Sequence, residues 1–166
     1  KKIIKVADKF NSKSMLTSKK SKNGTERIYE AYKKLNKKYD LIIDIQGDEP
    51  LIDPNHIDQV IKFHQKSKFS DIILPHLKIS YGDNNNIVKV LTDINDNVLF
   101  LSRSKLPLEF RSNNKFYKKH LSIISFKPDA LKKFNTFKKT PLEKSEDVEL
   151  LDVETNKGVS VDDWYW

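Results

Sequence analysis

An apolar run that ends abruptly in an acidic turn is the feature that most constrains how this chain folds. Residues 41–45, Leu-Ile-Ile-Asp-Ile, have the length and the branched side chains of a buried strand. Residues 46–50, Gln-Gly-Asp-Glu-Pro, follow at once, and their glycine and proline favour a turn. A doubly wound α/β sheet binds its ligands in the crevice just beyond its strand ends, and a carboxylate there can hold Mg²⁺, which usually accompanies phosphate. The alternative is an ordinary strand-to-loop turn with a solvated acid.

Helical and strand-like patterns alternate along the rest of the chain. Helical spacing of apolar residues occurs at residues 3–10, 25–38, 54–64, 128–134 and 141–151, and strand-like runs occur at residues 14–17, 41–45, 71–77, 88–91, 98–101, 120–126 and 159–161. Asp53 and Pro54 have the order of an N-cap and a first-turn proline, and residues 95–97, Asn-Asp-Asn, suit a hairpin turn. The alternation predicts an α/β fold with a mostly parallel mixed sheet flanked by helices.

Length and composition narrow the class of protein. A chain of 166 residues suits one domain, residues 1–166, with a single core. No apolar run approaches the ~20 residues that span a bilayer, which predicts no membrane insertion. The chain contains no cysteine, so disulfides, thiolate metal sites and cysteine nucleophiles are excluded. Since no secretory signal pattern is present either, we expect a cytoplasmic protein.

The charged residues bear on the choice of partner. The net charge is +8, from 31 basic and 23 acidic residues, and basic proteins often bind nucleic acid. The lysines come as scattered pairs without a dense stripe, which favours a solvated surface and predicts no nucleic-acid partner. Only three arginines occur, Arg27, Arg103 and Arg111. Because a guanidinium binds phosphate or carboxylate through planar paired contacts, we expect a function for Arg27 or Arg103, with chance retention or a structural ion pair as the alternative.

A candidate anion site lies at residues 23–27, Asn-Gly-Thr-Glu-Arg, where a loop leads into a helix. Backbone N–H groups at the N-terminus of a helix favour anions. Gly24 allows a ligand to approach the backbone closely, and Thr25 is expected to cap the helix. The alternative is a plain capping turn that binds no ligand.

Residues 45–52, Ile-Gln-Gly-Asp-Glu-Pro-Leu-Ile, closely resemble the signature loop of the 3-deoxy-manno-octulosonate cytidylyltransferases, or CMP-KDO synthetases. These enzymes join KDO, an acidic eight-carbon sugar, to CMP. Other motifs stand in the family's order at residues 23–27, 102–107, 120–126 and 140–143, so the resemblance runs from about residue 14 to residue 154. It implies a Rossmann-like nucleotidyltransferase fold.

The resemblance also implies two groups of binding residues. Those of the nucleotide site would be Asn23, Gly24, Thr25, Arg27, Gln46 and Gly47. Those of the sugar site would be Gln46, Arg103, His120 and Glu143. Asp48 would hold Mg²⁺ and would act in catalysis together with Arg103. The alternatives are a surface salt bridge for Arg103, a structural histidine for His120, and a complement to the helix dipole for Glu143.

The implied reaction converts CTP and KDO into CMP-KDO and pyrophosphate, for lipopolysaccharide or capsule synthesis, and the implied assembly is a homodimer. Ser122 and Ile124 replace a glycine and a tyrosine of the family pattern, so another acidic sugar, such as a neuraminate, is an alternative substrate. Nothing in the chain matches the family's N-terminal glycine-rich loop or its C-terminal acidic metal motif. We therefore expect a domain that is incomplete at both ends and is inactive or weak by itself, and a non-catalytic fragment is the second alternative.

Overall fold

The computed structural model of the chain describes residues 2–47, 49–81, 83–111, 115–151 and 161–165, the last stretch by its backbone alone. Asp48 therefore lies outside the described residues. The chain divides into two units, Lys1–Lys38 and Tyr39–Trp166. The expectation of a single domain over residues 1–166 stays a prediction.

The first unit contains two helices, α1 (Lys2–Lys9) and α2 (Gly24–Leu35). Asn23 caps α2, because its backbone is extended and its side chain accepts a hydrogen bond from the Glu26 N–H at 2.8 Å. The expectation that Thr25 caps this helix is therefore wrong. Thr25 already lies within the first helical turn, where its backbone no longer has the extended form of a cap.

The strand expected at residues 14–17 is wrong, because this stretch is coil. Side chains of α2 occupy the backbone groups that a neighbouring strand would otherwise pair with. The Ser18 N–H donates to the Glu30 carboxylate at 2.9 Å, and Lys34 Nζ donates to the Leu16 carbonyl at 2.9 Å. A strand exists only where a second strand completes the hydrogen-bond ladder, and the local pattern does not supply one.

The second unit contains a seven-stranded sheet, with one helix packed on two of its strands, and two further helices. Its strands are β1 (Ile42–Ile45), β2 (Ile72–Ile79), β3 (Lys89–Thr92), β4 (Val98–Ser102), β5 (Tyr117–His120), β6 (Ile123–Phe126) and β7 (Val161–Tyr165). Its helices are α3 (Pro54–Lys66), α4 (Pro128–Phe134) and α5 (Pro141–Glu146). The hairpin expected around residues 95–97 is confirmed as β3 and β4.

The sheet is mostly antiparallel, so the expectation of a mostly parallel sheet is wrong. Among the described strands, β2 and β7 pair in parallel, whereas the β1–β6, β2–β6, β2–β5, β3–β5 and β3–β4 pairs are antiparallel. β1 and β2 do run in the same direction, because both are antiparallel to β6, which lies between them. An apolar pattern shows that a strand is buried, and it says nothing of which strand becomes its neighbour.

The run expected as one strand over residues 120–126 is divided into β5 and β6. Between the pairs Ile73–Ser125 and His76–His120, β2 advances by three residues and the opposite strand advances by five. The extra residues bend that strand, as a β-bulge does. On its other edge, β6 pairs with β1 and β5 pairs with β3, so β1 and β3 diverge from the bend.

A hydrophobic cluster lies between α3 and the sheet. Val60 of α3, Ile73 of β2 and Ile123 of β6 form it, and all three are buried. α3 begins as predicted, because Asp53 caps it with a hydrogen bond to a backbone N–H of the first turn and Pro54 follows. In the described part of the chain, no helix is long and apolar enough to cross a membrane.

Candidate active site

A cavity of about 350 Å³ lies where β1 and β3 diverge from the bend between β5 and β6. At this bend the Gln46 N–H donates to the Ser122 carbonyl at 3.0 Å, and the His120 N–H donates to the Val88 carbonyl at 2.9 Å. Within two residues of the bend, the hydrogen-bonding neighbour thus changes from the β3 side to the β1 side. The gap between β1 and β3 forms the cavity. Concave sites of this volume are typical of small-molecule binding.

Three of the expected site residues line this cavity together. Gln46 comes from the end of β1, His120 from the end of β5, and Arg103 directly follows β4. Ser122 and Ile124, which replace the glycine and the tyrosine of the family pattern, line the same cavity. Motifs that are far apart in the sequence therefore contribute to one pocket, which is the geometric condition for a shared substrate site.

Main-chain carbonyls hold the guanidinium group of Arg103. Its Nε donates to the Glu146 carbonyl at 2.7 Å, its Nη2 to the Asp147 carbonyl at 3.2 Å, and its Nη1 to the Asn85 carbonyl at 3.3 Å. A guanidinium has five N–H donors in a fixed plane, and these contacts between described residues use three of them. The side chain is therefore pre-positioned at the cavity wall.

Glu146 is a site-forming residue that the sequence reasoning missed. One of its carboxylate oxygens accepts the Ser102 hydroxyl and the other accepts the Arg103 backbone N–H, each at 2.9 Å. Because Glu146 is the last residue of α5, it ties this helix to the end of β4. The visible signal was a second glutamate in the helix of Glu143, but a contact over 43 residues of sequence cannot be inferred from that pattern.

Glu143 is not among the described residues that line the cavity. It lies in the first turn of α5, which Thr140 caps, and its buried carboxylate is 3.0 Å from Lys139 Nζ. The hydrogen bond to Glu143 raises the pKa of Lys139. This position agrees with the alternative in which Glu143 complements the helix dipole, and its role in sugar binding stays a prediction.

Asp44 is a buried acid to which the sequence reasoning assigned no role. It stands opposite Ile124 in the β1–β6 pair and is 9% exposed. Burial, together with the negative charge of Glu149, which lines the cavity, raises the pKa of Asp44 to about 6. An aspartate within an apolar run was the visible signal. Asp44 thus changes its charge not far below neutral pH, next to the cavity.

The signature loop is described on both sides of Asp48. Gln46 and Glu49 line the cavity, and the Glu49 N–H donates to the Gln46 carbonyl at 3.3 Å. Among the described residues other than the chain neighbours of Gly47, no heavy atom lies within 4 Å of the place that a Cβ on Gly47 would occupy. Packing between described residues therefore does not explain why residue 47 is a glycine. The close approach of a ligand to the backbone would explain it, and this stays a prediction. Among the described residues, no group of three potential ligands could hold a metal ion.

The expected nucleotide-binding residues of the first unit lie together at the start of α2: Asn23, Gly24, Thr25 and Arg27. Arg27 Nη1 donates to the Thr17 hydroxyl at 2.8 Å and to the Ser18 carbonyl at 3.2 Å. These contacts fasten the coil that precedes the helix. The part of these residues in nucleotide binding stays a prediction.

Comparison with known proteins gives the family. The family model described as cytidylyltransferase matches residues 1–159. The chain belongs to the cytidylyltransferase family. The resemblance inferred from residues 45–52 and the other motifs is confirmed, because the curated relatives below carry the name of the family that those motifs indicated.

Three curated relatives named 3-deoxy-manno-octulosonate cytidylyltransferase are similar to most of this chain. The Leptospira interrogans protein is 35% identical over 163 residues, which are 96% of this chain and 65% of the relative. The mitochondrial Arabidopsis thaliana protein is 40% identical over 153 residues, 89% of this chain and 52% of the relative. The Fusobacterium nucleatum protein is 37% identical over 150 residues, 89% and 61% of the two chains. The chain thus spans between about half and two thirds of these relatives.

Two solved structures share the fold. A structure of CMP:2-keto-3-deoxy-manno-octonic acid synthetase complexed with CTP has a TM-score of 0.90 at 23% identity, covering 99% of this chain and 68% of the other. A structure of HddC from Yersinia pseudotuberculosis complexed with GMP-PN has a TM-score of 0.60 at 14% identity, covering 99% and 64%. These likenesses confirm the expected α/β nucleotidyltransferase fold, although the sheet is mostly antiparallel.

Proposed function

We propose that this cytidylyltransferase activates an acidic sugar and converts CTP and KDO into CMP-KDO and pyrophosphate. A sugar hydroxyl oxygen attacks the α-phosphorus of CTP, a new P–O bond forms while the bond to pyrophosphate breaks, and the hydroxyl proton is released. The observation that carries the proposal is that Gln46, Arg103 and His120 line one cavity in a chain of this family.

A guanidinium at the cavity supports an acid as the second substrate. Arg103 lines the cavity together with Lys119 and three acidic residues, and a guanidinium binds a carboxylate through parallel hydrogen bonds. We assign the sugar carboxylate to Arg103 and His120, and Gln46 to the boundary between sugar and nucleotide. Glu143 keeps its proposed contact with sugar hydroxyls.

The nucleotide is assigned to main-chain groups as well as side chains. In the first unit, the start of α2 presents backbone N–H groups that favour the negative charge of phosphates. In the second unit, the open space at Gly47 leaves room for a ligand to approach the backbone. Arg27 would then add a cation beside the phosphates.

We propose Mg²⁺ as the cofactor, with Asp48 as its protein ligand. The donor chemistry fits, because Glu49 and Glu149 at the cavity are oxygen donors of the kind that Mg²⁺ prefers. The lack of a three-ligand group among the described residues does not conflict with this, since Mg²⁺ needs only one or two protein carboxylates when phosphates complete its shell. When bound, the ion would withdraw negative charge from the phosphate oxygens.

A homodimer and a cytoplasmic location complete the proposal. The segment after β4 carries Leu108 and Phe110, which are 75% and 81% exposed. Large exposed apolar side chains are typical of a surface that contacts another protein. We infer that a second copy of the chain covers them, and the cytoplasmic location stays a prediction from the sequence.

A different acidic sugar is the second candidate substrate. Ser122 and Ile124 line the cavity at the two positions where the family pattern has glycine and tyrosine. A change of side-chain volume and polarity in a pocket alters which substrate fits it. A neuraminate is therefore the alternative to KDO.

Pyrophosphate release by the purified protein tests the function. The reaction contains CTP, Mg²⁺ and KDO, and the comparisons replace KDO with a neuraminate, replace CTP with ATP, or omit the sugar. Release that requires both CTP and KDO is the result that the proposed reaction predicts, and a strong rate would overturn the expectation from the sequence that the domain is inactive or weak by itself. Release with the neuraminate alone would transfer the proposal to the alternative sugar, and no release from folded protein would contradict both substrates and favour the non-catalytic fragment.

Asp48→Asn tests the proposed metal ligand. We expect Mg²⁺-dependent turnover to be abolished, because an amide is neutral and binds a hard cation poorly. Asp40→Asn is the matched control, since Asp40 is exposed and precedes β1 at its opposite end, and its turnover is expected to equal that of the unchanged protein. Near-normal rates in Asp48→Asn would remove Asp48 from this role.

A further inference from the structure

Lys89 is a buried cation that the proposed chemistry does not use. It is 1% exposed at the start of β3, although a lysine is almost never fully buried unless its charge has partners. Its Nζ donates to the carbonyls of Asn84 at 3.0 Å and Ile87 at 2.8 Å, and also to the carbonyl of Arg103. A protonated ammonium has three N–H donors, so these carbonyls use all of them and require the charged form.

The charges around Lys89 oppose one another. Burial lowers the pKa of Lys89, Glu146 raises it, Arg103 lowers it and Asp83 raises it. Lys89 is the buried member of this network, because Glu146 and Arg103 are partly exposed and Asp83 is exposed, and its removal takes a cation from beside Glu146. The same Glu146 holds the Arg103 backbone N–H, so Lys89, Glu146 and Arg103 act on one piece of chain.

Two of the three carbonyls bound by Lys89, those of Ile87 and Arg103, belong to residues of the cavity wall. Ile87, Asn86 and Val88 line it from the segment before β3, and Arg103 lines it from the end of β4. Lys89 is not among the described lining residues. It stands behind the wall and joins its two sides through backbone atoms.

We propose that Lys89 is a positioning residue for the acidic sugar: its ammonium group fixes the backbone on both sides of the cavity wall and so places Arg103. The inference rests on the proposed function, because it assigns Arg103 to the sugar. Without the ammonium, three part-buried carbonyl oxygens lose this donor, and the loss of a hydrogen-bond donor to such an acceptor drives local rearrangement. The Arg103 backbone is one of these three points, so its side chain moves with it.

Lys89→Met tests the proposal through the two substrates separately. Methionine keeps the unbranched shape and removes the charge and the donors. We expect the KM for KDO to rise by at least about tenfold, because small displacements of a binding group have effects of this size or larger, and the KM for CTP to stay within about twofold. A loss of folded protein would lower the maximal rate and would not raise one KM alone.

Lys118→Met is the matched control. Lys118 lies on β5 in the same sheet, where its Nζ contacts the Thr92 hydroxyl at 2.6 Å and the Asp96 carboxylate at 3.2 Å, and it is not among the described cavity residues. Both KM values are expected to stay within about twofold. Equal increases in both KM values for Lys89→Met, or no increase, would overturn the proposal.

A second variant, Lys89→Arg, and amide hydrogen exchange test the proposal if Lys89→Met does not fold. If Lys89→Met does not fold, the arginine variant keeps the charge, but its planar fork cannot aim three donors at the same three carbonyls, so the same selective rise is expected. Amide exchange of the Lys89 variant should show lost protection at residues 84–88 and 103 with global stability retained. Unchanged protection there overturns the role of Lys89. A failure of the proposed function appears instead as absent turnover in the unchanged protein.

Discussion

At the scale of single residues, the role of a charged group in the site depends on the atoms that it contacts more than on its residue type. Arg103 stood out because arginine is rare in this chain, and its described contacts are main-chain carbonyls. Lys89 and Asp44 received no role from the sequence, although an aspartate within an apolar run was a visible signal. Asp44 pairs with Ile124 of β6 and Lys89 reaches the carbonyl of Arg103, and no local pattern contains these contacts.

The titration of Asp44 predicts a pH-dependent stability. Its pKa is raised from 3.8 in the unfolded chain to about 6 in the folded one, so ionisation favours the unfolded state. The contribution of Asp44 to the free energy of unfolding is therefore fully present below about pH 4 and is lost as the pH rises through about 6. Asp44→Asn should raise stability above neutral pH by about 2–3 kcal/mol, from ~1.4 kcal/mol per pKa unit, with little gain at acid pH.

Urea unfolding at about pH 4 and about pH 7.5 measures this difference. Asp40→Asn is the control, because Asp40 is the same residue type and is exposed just before β1. A gain from Asp44→Asn that is equal at both pH values would show that ionisation of Asp44 is not its cause.

At the scale of elements, local chemistry determines where helices begin, and pairing determines where strands end. α3 begins at Asp53 and Pro54 as the residues themselves predict, because a cap needs only the next two or three residues. α5 ends at Glu146 rather than near residue 151, since Asp147 adopts a left-handed backbone with φ 53°. The division between β5 and β6 follows from the partners of each half.

Removal of the α3 cap tests this account of the element. Asp53→Ala should lower the free energy of unfolding by about 1 kcal/mol, because a backbone N–H of the first turn loses its acceptor. Asp58→Ala in the middle of the same helix, also exposed, should have a smaller effect. Chemical denaturation of both variants gives the comparison, and equal losses would mean that the cap is not the source.

At the scale of the whole molecule, the proposed dimer makes a direct prediction. Sedimentation of the purified protein should give twice the mass of one chain, and Phe110→Glu should shift it towards the monomer by placing a charge in an apolar contact. Phe69→Glu is the control, because Phe69 is 92% exposed in another part of the second unit. A monomer at every concentration of the unchanged protein would contradict the proposed dimer.

The sequence by itself determined the family, through residues 45–52 and the order of the other motifs, and it determined the start of α3 and the β3–β4 hairpin. These features depend on residue identity or on contacts within a few positions. Only the tertiary structure decided that β6 lies antiparallel between β1 and β2, and that Gln46, Arg103 and His120 share a cavity. The physical reason is that strand pairing and the burial of charges such as Lys89 depend on segments far apart in the chain, whose meeting no local pattern encodes.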